Sequence, residues 1–327
     1  MPQTARNWTE LHRHLDISMR LSTLLEMART VGAASPATTL EEFAERIVIR
    51  RPLGSLSEVL ETFGIVQQVL DRPEHLERVA YETVHDCHRE GSTCVELRFS
   101  PSYVCGESGL GWADASEVFQ RGIERALGEL PGMRAGMICI ASRDFGPQAV
   151  GETAEFYLDR RDLFVAFDLA GPAAEFPARP IEDVFEPIRR AKAADPEGVH
   201  VTIHAGEAAG PESVWEAIEL LGAERIGHGI HSFEDPELVR YLAEHRIPLE
   251  MCPTSNWLTG AVARLEDHPL RAALEAGVEA TINTDDPTIF GVSLVDEVRL
   301  ARERIGLSDE QVARTFEIAA ARTFVPA

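Results

Sequence analysis

Two histidines one residue apart, in "ELHRHLD" (Glu10 to Asp16), begin the chemistry of this chain. Residues two apart in an extended strand point to the same side, so His12 and His14 can reach one point. Such a pair alone is also found on exposed strands. Other ligating types close other short apolar runs: His204 ends "VHVTIH", His228 ends "RIGH", and Asp285 lies in "ATINTDDP". Imidazoles and a carboxylate suit a catalytic zinc, which takes nitrogen and oxygen ligands and keeps one position open for water. Glu207 follows His204 by three residues in a glycine-bearing turn, where burial would raise its pKa and let it serve as acid or base beside that water. Asp285 and Asp286 are adjacent acids that repel unless something positive separates them, unless they merely cap the next helix. Gly171, in "DLAGP", either lets a ligand approach the backbone closely or serves a turn.

These residues can meet only if the strands that carry them end together. Short apolar or β-branched runs recur at "TELHRH" (from Thr9), "TCVELRF" (from Thr93), "MRAGMICIAS" (from Met133), "LFVAFDLAG" (from Leu163) and "VHVTIHAG" (from Val199). Three more follow, "ERIGHG" (from Glu224), "IPLEMCP" (from Ile247) and "VEATINTDD" (from Val278). Alternation with helices is the pattern of a parallel sheet, and eight such runs predict an α/β fold, a (β/α)8 TIM barrel whose strand C-termini share one mouth. The helices have readable ends. "GPESVWEAIELLG" opens on Gly210-Pro211, stops at Gly222, and repeats Val214, Ile218 and Leu221 on one face. The stretch from roughly 39 to 90 reads as an inserted helical layer beside the mouth, within a single domain spanning 1–327.

Composition narrows the partners. Lys+Arg 31 against Asp+Glu 54 gives a net charge of −23, which repels phosphate backbones and anionic lipid surfaces, so neither nucleic acid nor membrane is expected as a partner. No run approaches the length of a membrane span, and the first ten residues lack the apolar core of a signal peptide, so a cytoplasmic location is expected. Cys87, Cys94, Cys105, Cys139 and Cys252 are widely spaced, which suggests neither a disulfide framework nor a thiolate zinc ribbon but reduced core cysteines.

In order along nearly the whole chain, "ELHRHLD", "VELRFSP", "DLAGP", "HAGE", "RIGHGIH", "CPTSN" and "NTDDP" resemble the motifs of the adenosine deaminase family. The resemblance implies a metal-dependent amidohydrolase barrel with one Zn2+ per chain, held by His12, His14, His204 and Asp285. It turns His228 from a candidate ligand into the group that orients or deprotonates the attacking water. It makes Glu207 the acid that protonates purine N1, with Asp286 facing N7, the Gly171 N–H facing N3, and Asp16 meeting the ribose 5′-hydroxyl. The expected substrate is a small 6-aminopurine nucleoside, adenosine or 2′-deoxyadenosine. Ile17 stands where the family commonly has glycine, and Pro172-Ala173 replaces an acidic pair. Both departures bear on the 5′ side and keep open a 5′-modified adenosine such as aminodeoxyfutalosine or methylthioadenosine, with adenine as a third choice. Two other classes stand beside it: a two-metal ester or amide hydrolase, which would want a bridging lysine where the chain offers only Lys192 in a helix, and a nucleoside-binding protein without turnover.

Overall fold

Each of the eight runs forms a strand: β1 Trp8–His14, β2 Ser92–Phe99, β3 Arg134–Ser142, β4 Phe164–Ala170, β5 Val201–Ala205, β6 Arg225–His228, β7 Leu249–Met251 and β8 Ala280–Ile282. The computed structural model describes residues 7–106 and 109–327. Neighbours in sequence are neighbours in the sheet, and every pairing is parallel. Parallel pairing requires a crossover between strands, and helices supply it. The ring closes at an isolated parallel bridge between Arg13 and Asp285. There His14 N–H donates to the Asp285 carbonyl at 2.9 Å and Asp285 N–H donates to the His12 carbonyl at 3.1 Å. This is the expected TIM barrel.

The helices begin and end where local chemistry dictates. The helix Pro211–Glu219 takes Pro211 in its first turn, where a missing N–H costs nothing, and buries Val214 fully against the barrel. The chain turns back toward β6 through Gly222, whose φ of +73° suits a residue without a Cβ.

Five helices lie between β1 and β2: α1 Leu21–Thr30, α2 Leu40–Ile47, α3 Leu56–Glu61, α4 Gly64–Val69 and α5 Pro73–Glu90. The first starts upstream of residue 39. A capping box of Thr39 and Glu42 starts α2, and Ser55 caps α3. Leu56 and Leu60 of α3, with Phe63 just before α4, overhang the barrel mouth. By contrast, α5 packs against the helix Trp112–Glu129 in the outer ring. The contact is close because Gly122 has no Cβ, which would sit 2.4 Å from the Glu77 carbonyl oxygen.

Below the mouth the barrel interior is charged. Arg98 of β2 donates to Asp168 of β4 at 2.9 Å and to Glu250 of β7 at 2.7 Å. Arg225 of β6 donates to the other Glu250 oxygen at 2.7 Å and also pairs with Glu96 of β2. All five side chains are buried, and burial of charge is tolerable only with such pairing. The Phe324 ring lies 3.7 Å from the Arg225 guanidinium and closes the bottom. No helix among the described residues is long and apolar enough to cross a membrane.

Candidate active site

At the C-terminal ends of β1, β5, β6 and β8 four histidines and an aspartate converge. His12 Nε2 and His14 Nε2 stand 3.3 and 3.2 Å from Asp285 Oδ1. The His12 ring centroid is 4.6 Å from that of His204 and 4.8 Å from that of His228. One donor atom from each of His12, His204, His228 and Asp285 falls within 4.8 Å of the others, and His14, Asp285 and Asp286 form an adjoining group of the same kind. The backbone is bent to make this possible. His228 and Asp285 have φ of +64° and +63°, a left-handed conformation that costs energy in a residue with a side chain and concentrates at functional sites. Gly227 makes room beside His12 and His204: a Cβ there would lie 3.0 Å from His12 Cε1 and 3.2 Å from His204 Cα.

Carboxylates behind two of the rings decide which nitrogen faces the site. Glu250 Oε2 lies 2.9 Å from His12 Nδ1, and Asp168 lies 3.0 Å from His204 Nδ1. Each carboxylate keeps the ring proton on Nδ1 and turns the Nε2 lone pair inward, the usual support of a metal-binding histidine. Burial pulls the His204 pKa down to about 4 against the attraction of Asp168, so the ring is neutral, as a ligand must be. His12 Nε2 is buried and has no hydrogen-bond partner. Burial opposes ionisation of Asp285, but the surrounding imidazoles outweigh it and hold the carboxyl well below the usual range. Ser255 Oγ donates to Asp285 Oδ2 at 2.6 Å and fixes the carboxylate. The neutral His204 ring, the ionised Asp285 carboxylate and the orphaned His12 Nε2 fit a divalent metal ion.

The other predicted residues surround this group. Burial, then the charge of Asp285, pushes the Glu207 pKa up to about 8, so Glu207 is a carboxylic acid at neutral pH. Its Oε2 is 3.5 Å from His228 Nε2, and its Oε1 is buried without a partner. Burial, with Asp285, Asp16 and Glu207 nearby, pushes Asp286 well above the carboxylate range. Asp286 makes no side-chain cap bond to the following helix Pro287–Phe290, so the capping alternative is not what it does. Asp16 has an unpartnered Oδ1 and a pKa raised by burial to about 6. It lines the adjoining half of the cavity with Ile17 and Gly171. Gly171 satisfies both of its readings. Its φ is +101° and a Cβ would collide with Asp144 and Arg143, while the residue itself lies on the cavity wall. Lys192 is elsewhere, paired with Glu224 at 2.7 Å.

The sequence reading did not single out Arg98, Asp168, Glu250, Ser255 or Asn256. For Arg98, Asp168 and Glu250 the signal was a charged group inside an otherwise apolar strand run, where it needs a buried partner; Ser255 and Asn256, on the helix Pro253–Leu258, carried no such signal.

Residues 8–327 match the adenosine deaminase family. An adenosine deaminase from Klebsiella pneumoniae subsp. pneumoniae is 42% identical over 304 residues, 93% of this chain and 89% of that protein. In fold, the chain is similar to an adenine deaminase from Arthrobacter aurescens, with a TM-score of 0.86 at 24% identity, covering 98% of this chain and 94% of the other. It is also similar to a Burkholderia ambifaria amidohydrolase with bound zinc, with a TM-score of 0.85 at 24% identity, covering 98% and 86%. From the strand ends to the sequence as a whole, this chain belongs to the adenosine deaminase family.

Proposed function

We propose that the protein hydrolyses adenosine or 2′-deoxyadenosine to the 6-oxo nucleoside and ammonia, with one zinc ion held by His12, His14, His204 and Asp285. The observation that carries this reading is Glu207: a buried carboxyl on the cavity wall whose Oε1 has no partner and whose Oε2 lies 3.5 Å from His228 Nε2, beside the imidazole cluster. Zinc bound there supplies the polarisation that brings the pKa of a water toward neutrality.

The protein's own groups do the rest. Glu207 gives its proton to purine N1, which weakens the ring's aromaticity and makes C6 electrophilic. His228 turns Nε2 toward the attacking oxygen. Asp286, protonated, donates to N7, and the Gly171 N–H donates to N3. When the C6–N bond breaks, one proton of the attacking water leaves with the amine and the other restores Glu207. Leu56, Leu60 and Phe63 cover the mouth and exclude bulk water, which strengthens every one of these interactions.

At the sugar end, Asp16 accepts from the 5′-hydroxyl. Among the described residues no lysine or arginine lines that part of the cavity, and Asp16 would repel a 5′-phosphate. The same wall carries Ile17, Leu60, Phe63 and Ile140, which favours a second reading in which the 5′ substituent is apolar, as in methylthioadenosine. All five cysteines are buried and unpaired, which fits work in a reducing cytoplasm. The chain is proposed to act as one domain.

The test is ammonia release by the zinc-loaded protein from adenosine, methylthioadenosine, adenine and adenosine 5′-monophosphate. Adenosine or the 5′-thioether is expected to give the highest kcat/KM and the monophosphate the lowest. A protein inert toward all four defeats the reading.

A further inference from the structure

Behind His228, on the side away from the cavity, runs a chain of polar groups that the chemistry above leaves unused. Asn256, on the helix Pro253–Leu258, places its amide nitrogen 3.0 Å from His228 Nδ1. Its amide oxygen is 3.3 Å from Cys252 N–H and 3.1 Å from His268 Nε2. On the far side of that ring, His268 Nδ1 is 3.1 Å from Leu270 N–H. Asn256, His228 and His268 are all buried.

Two backbone N–H groups fix every proton in this chain. A backbone N–H can only donate. His268 Nδ1 therefore accepts from Leu270, and the ring carries its proton on Nε2. That Nε2–H donates to the Asn256 oxygen, which accepts from Cys252 as well. With the oxygen so placed, the Asn256 NH2 group faces His228 and donates to Nδ1. The His228 proton then resides on Nε2, the nitrogen turned toward the cavity. Flipping the amide would set NH2 against two other donors and forfeit their hydrogen bonds in a buried place, which is costly.

We propose that Asn256 and His268 are positioning residues that hold His228 as its Nε2–H tautomer, so that His228 donates a hydrogen bond to the attacking oxygen and neither binds the metal nor takes the water's proton. The neighbouring rings show the opposite setting. Carboxylates behind His12 and His204 put the proton on Nδ1 and leave Nε2 bare, whereas an amide NH2 behind His228 leaves Nδ1 bare. Of the residues grouped around one point, what lies behind each ring thus divides ligands from donor. With His228 closed as a base, the proton lost by the water passes to Glu207 once Glu207 has given its own to N1, and then to the departing amine. The second water proton returns to Glu207 as the carbonyl forms. This catalytic half rests on the deaminase reading; the tautomer itself does not.

The experiment uses the zinc-loaded protein with nitrogen-15 histidine, the His228 resonances being identified by their loss in His228→Gln. The wild type is expected to show a protonated Nε2 and an unprotonated Nδ1. Asn256→Asp, nearly the same shape, replaces a donor with an acceptor and should reverse that pattern. With the wrong tautomer, kcat is expected to fall by about 10²-fold or more while KM changes little. His268→Ala should cause part of this loss, and His268→Gln, whose amide can donate to the Asn256 oxygen, should recover most of it. A protonated Nδ1 in the wild type overturns the proposal, as does an Asn256→Asp protein with the reversed pattern and undiminished turnover. Should Asn256→Asp fail to fold, the wild-type spectrum and the His268 pair still decide. A wild type that shows the expected tautomer yet deaminates no 6-aminopurine defeats the deaminase reading and, with it, the catalytic half alone.

Discussion

In the lower half of the barrel, Arg98 and Arg225 direct their terminal nitrogens to Asp168, Glu250 and Glu96, and the ionic groups there answer one another. At the mouth, His12, Asp16, Glu207 and Asp286 each keep a buried atom with no hydrogen-bond partner. Both regions are buried and both carry ionisable side chains, arginines with carboxylates below and histidines with carboxylates above. The difference is one of degree: on the floor every charged group has an ionic partner and only Arg98 Nε is left without a hydrogen bond, whereas at the mouth four side chains are left so. Buried polar groups are normally satisfied, so orphans gathered in one place mark where the protein expects something else to bind. The floor also serves the mouth, because Glu250 and Asp168 each pair with an arginine and also with a histidine ring, His12 and His204 respectively.

The comparison breaks most sharply at Glu207. Glu207→Gln keeps shape and burial but not the acid, and its kcat should drop by about 10³-fold, with bound zinc measured by elemental analysis unchanged. Retention of most of the rate would mean that the proton comes from another group. On the floor, Glu250→Gln should leave two arginines short of charge and cost about 3–5 kcal/mol in a denaturant titration. It should also weaken zinc by roughly 10-fold to 100-fold through His12, read by chelator competition. Unchanged zinc affinity would separate floor from mouth.

The smallest effect lies outside both regions. Glu297 is buried, accepts from Thr254 N–H at 3.3 Å, and has an unpartnered Oε1. Burial pushes its pKa from 4.5 up to about 8. Its neutral form is the one that the fold favours, so its contribution is whole below pH 4.5 and is lost as pH rises through about 8. Glu297→Gln should therefore gain a few degrees of Tm over the wild type above that pH, and the gap should close in acid. A gap independent of pH would show that Glu297 is ionised in the fold.

The strands and the residues at their ends were legible because each motif holds its information locally: a β-branched run, a turn glycine, a ligating side chain. His12 and His14, or Glu207 after His204, declare themselves within a few residues. The supporting groups were not legible. Arg98 and Glu250 are 152 positions apart, and the barrel's register alone brings them together. The charge inside "LFVAFDLAG" shows that Asp168 needs a partner but cannot say that it will be His204 and Arg98. The overhanging helices were visible only as one helical stretch from roughly 39 to 90, and nothing in it separates α3, over the cavity, from α5, in the outer ring.

The seam where β1 meets β8 is formed by the bridge between Arg13 and Asp285, so the first and last members of the imidazole–carboxylate cluster in sequence are stitched to each other by backbone hydrogen bonds. Synthesis runs from the N-terminus, so a ribosome has delivered most of the polypeptide before Asp285 emerges to meet the histidines made at the start. A truncated or half-translated chain holds the imidazoles without the aspartate and lacks the join that sets their spacing. Closure of the ring is therefore a late event in the life of the molecule, and any ion that needs Asp285 has to wait for it.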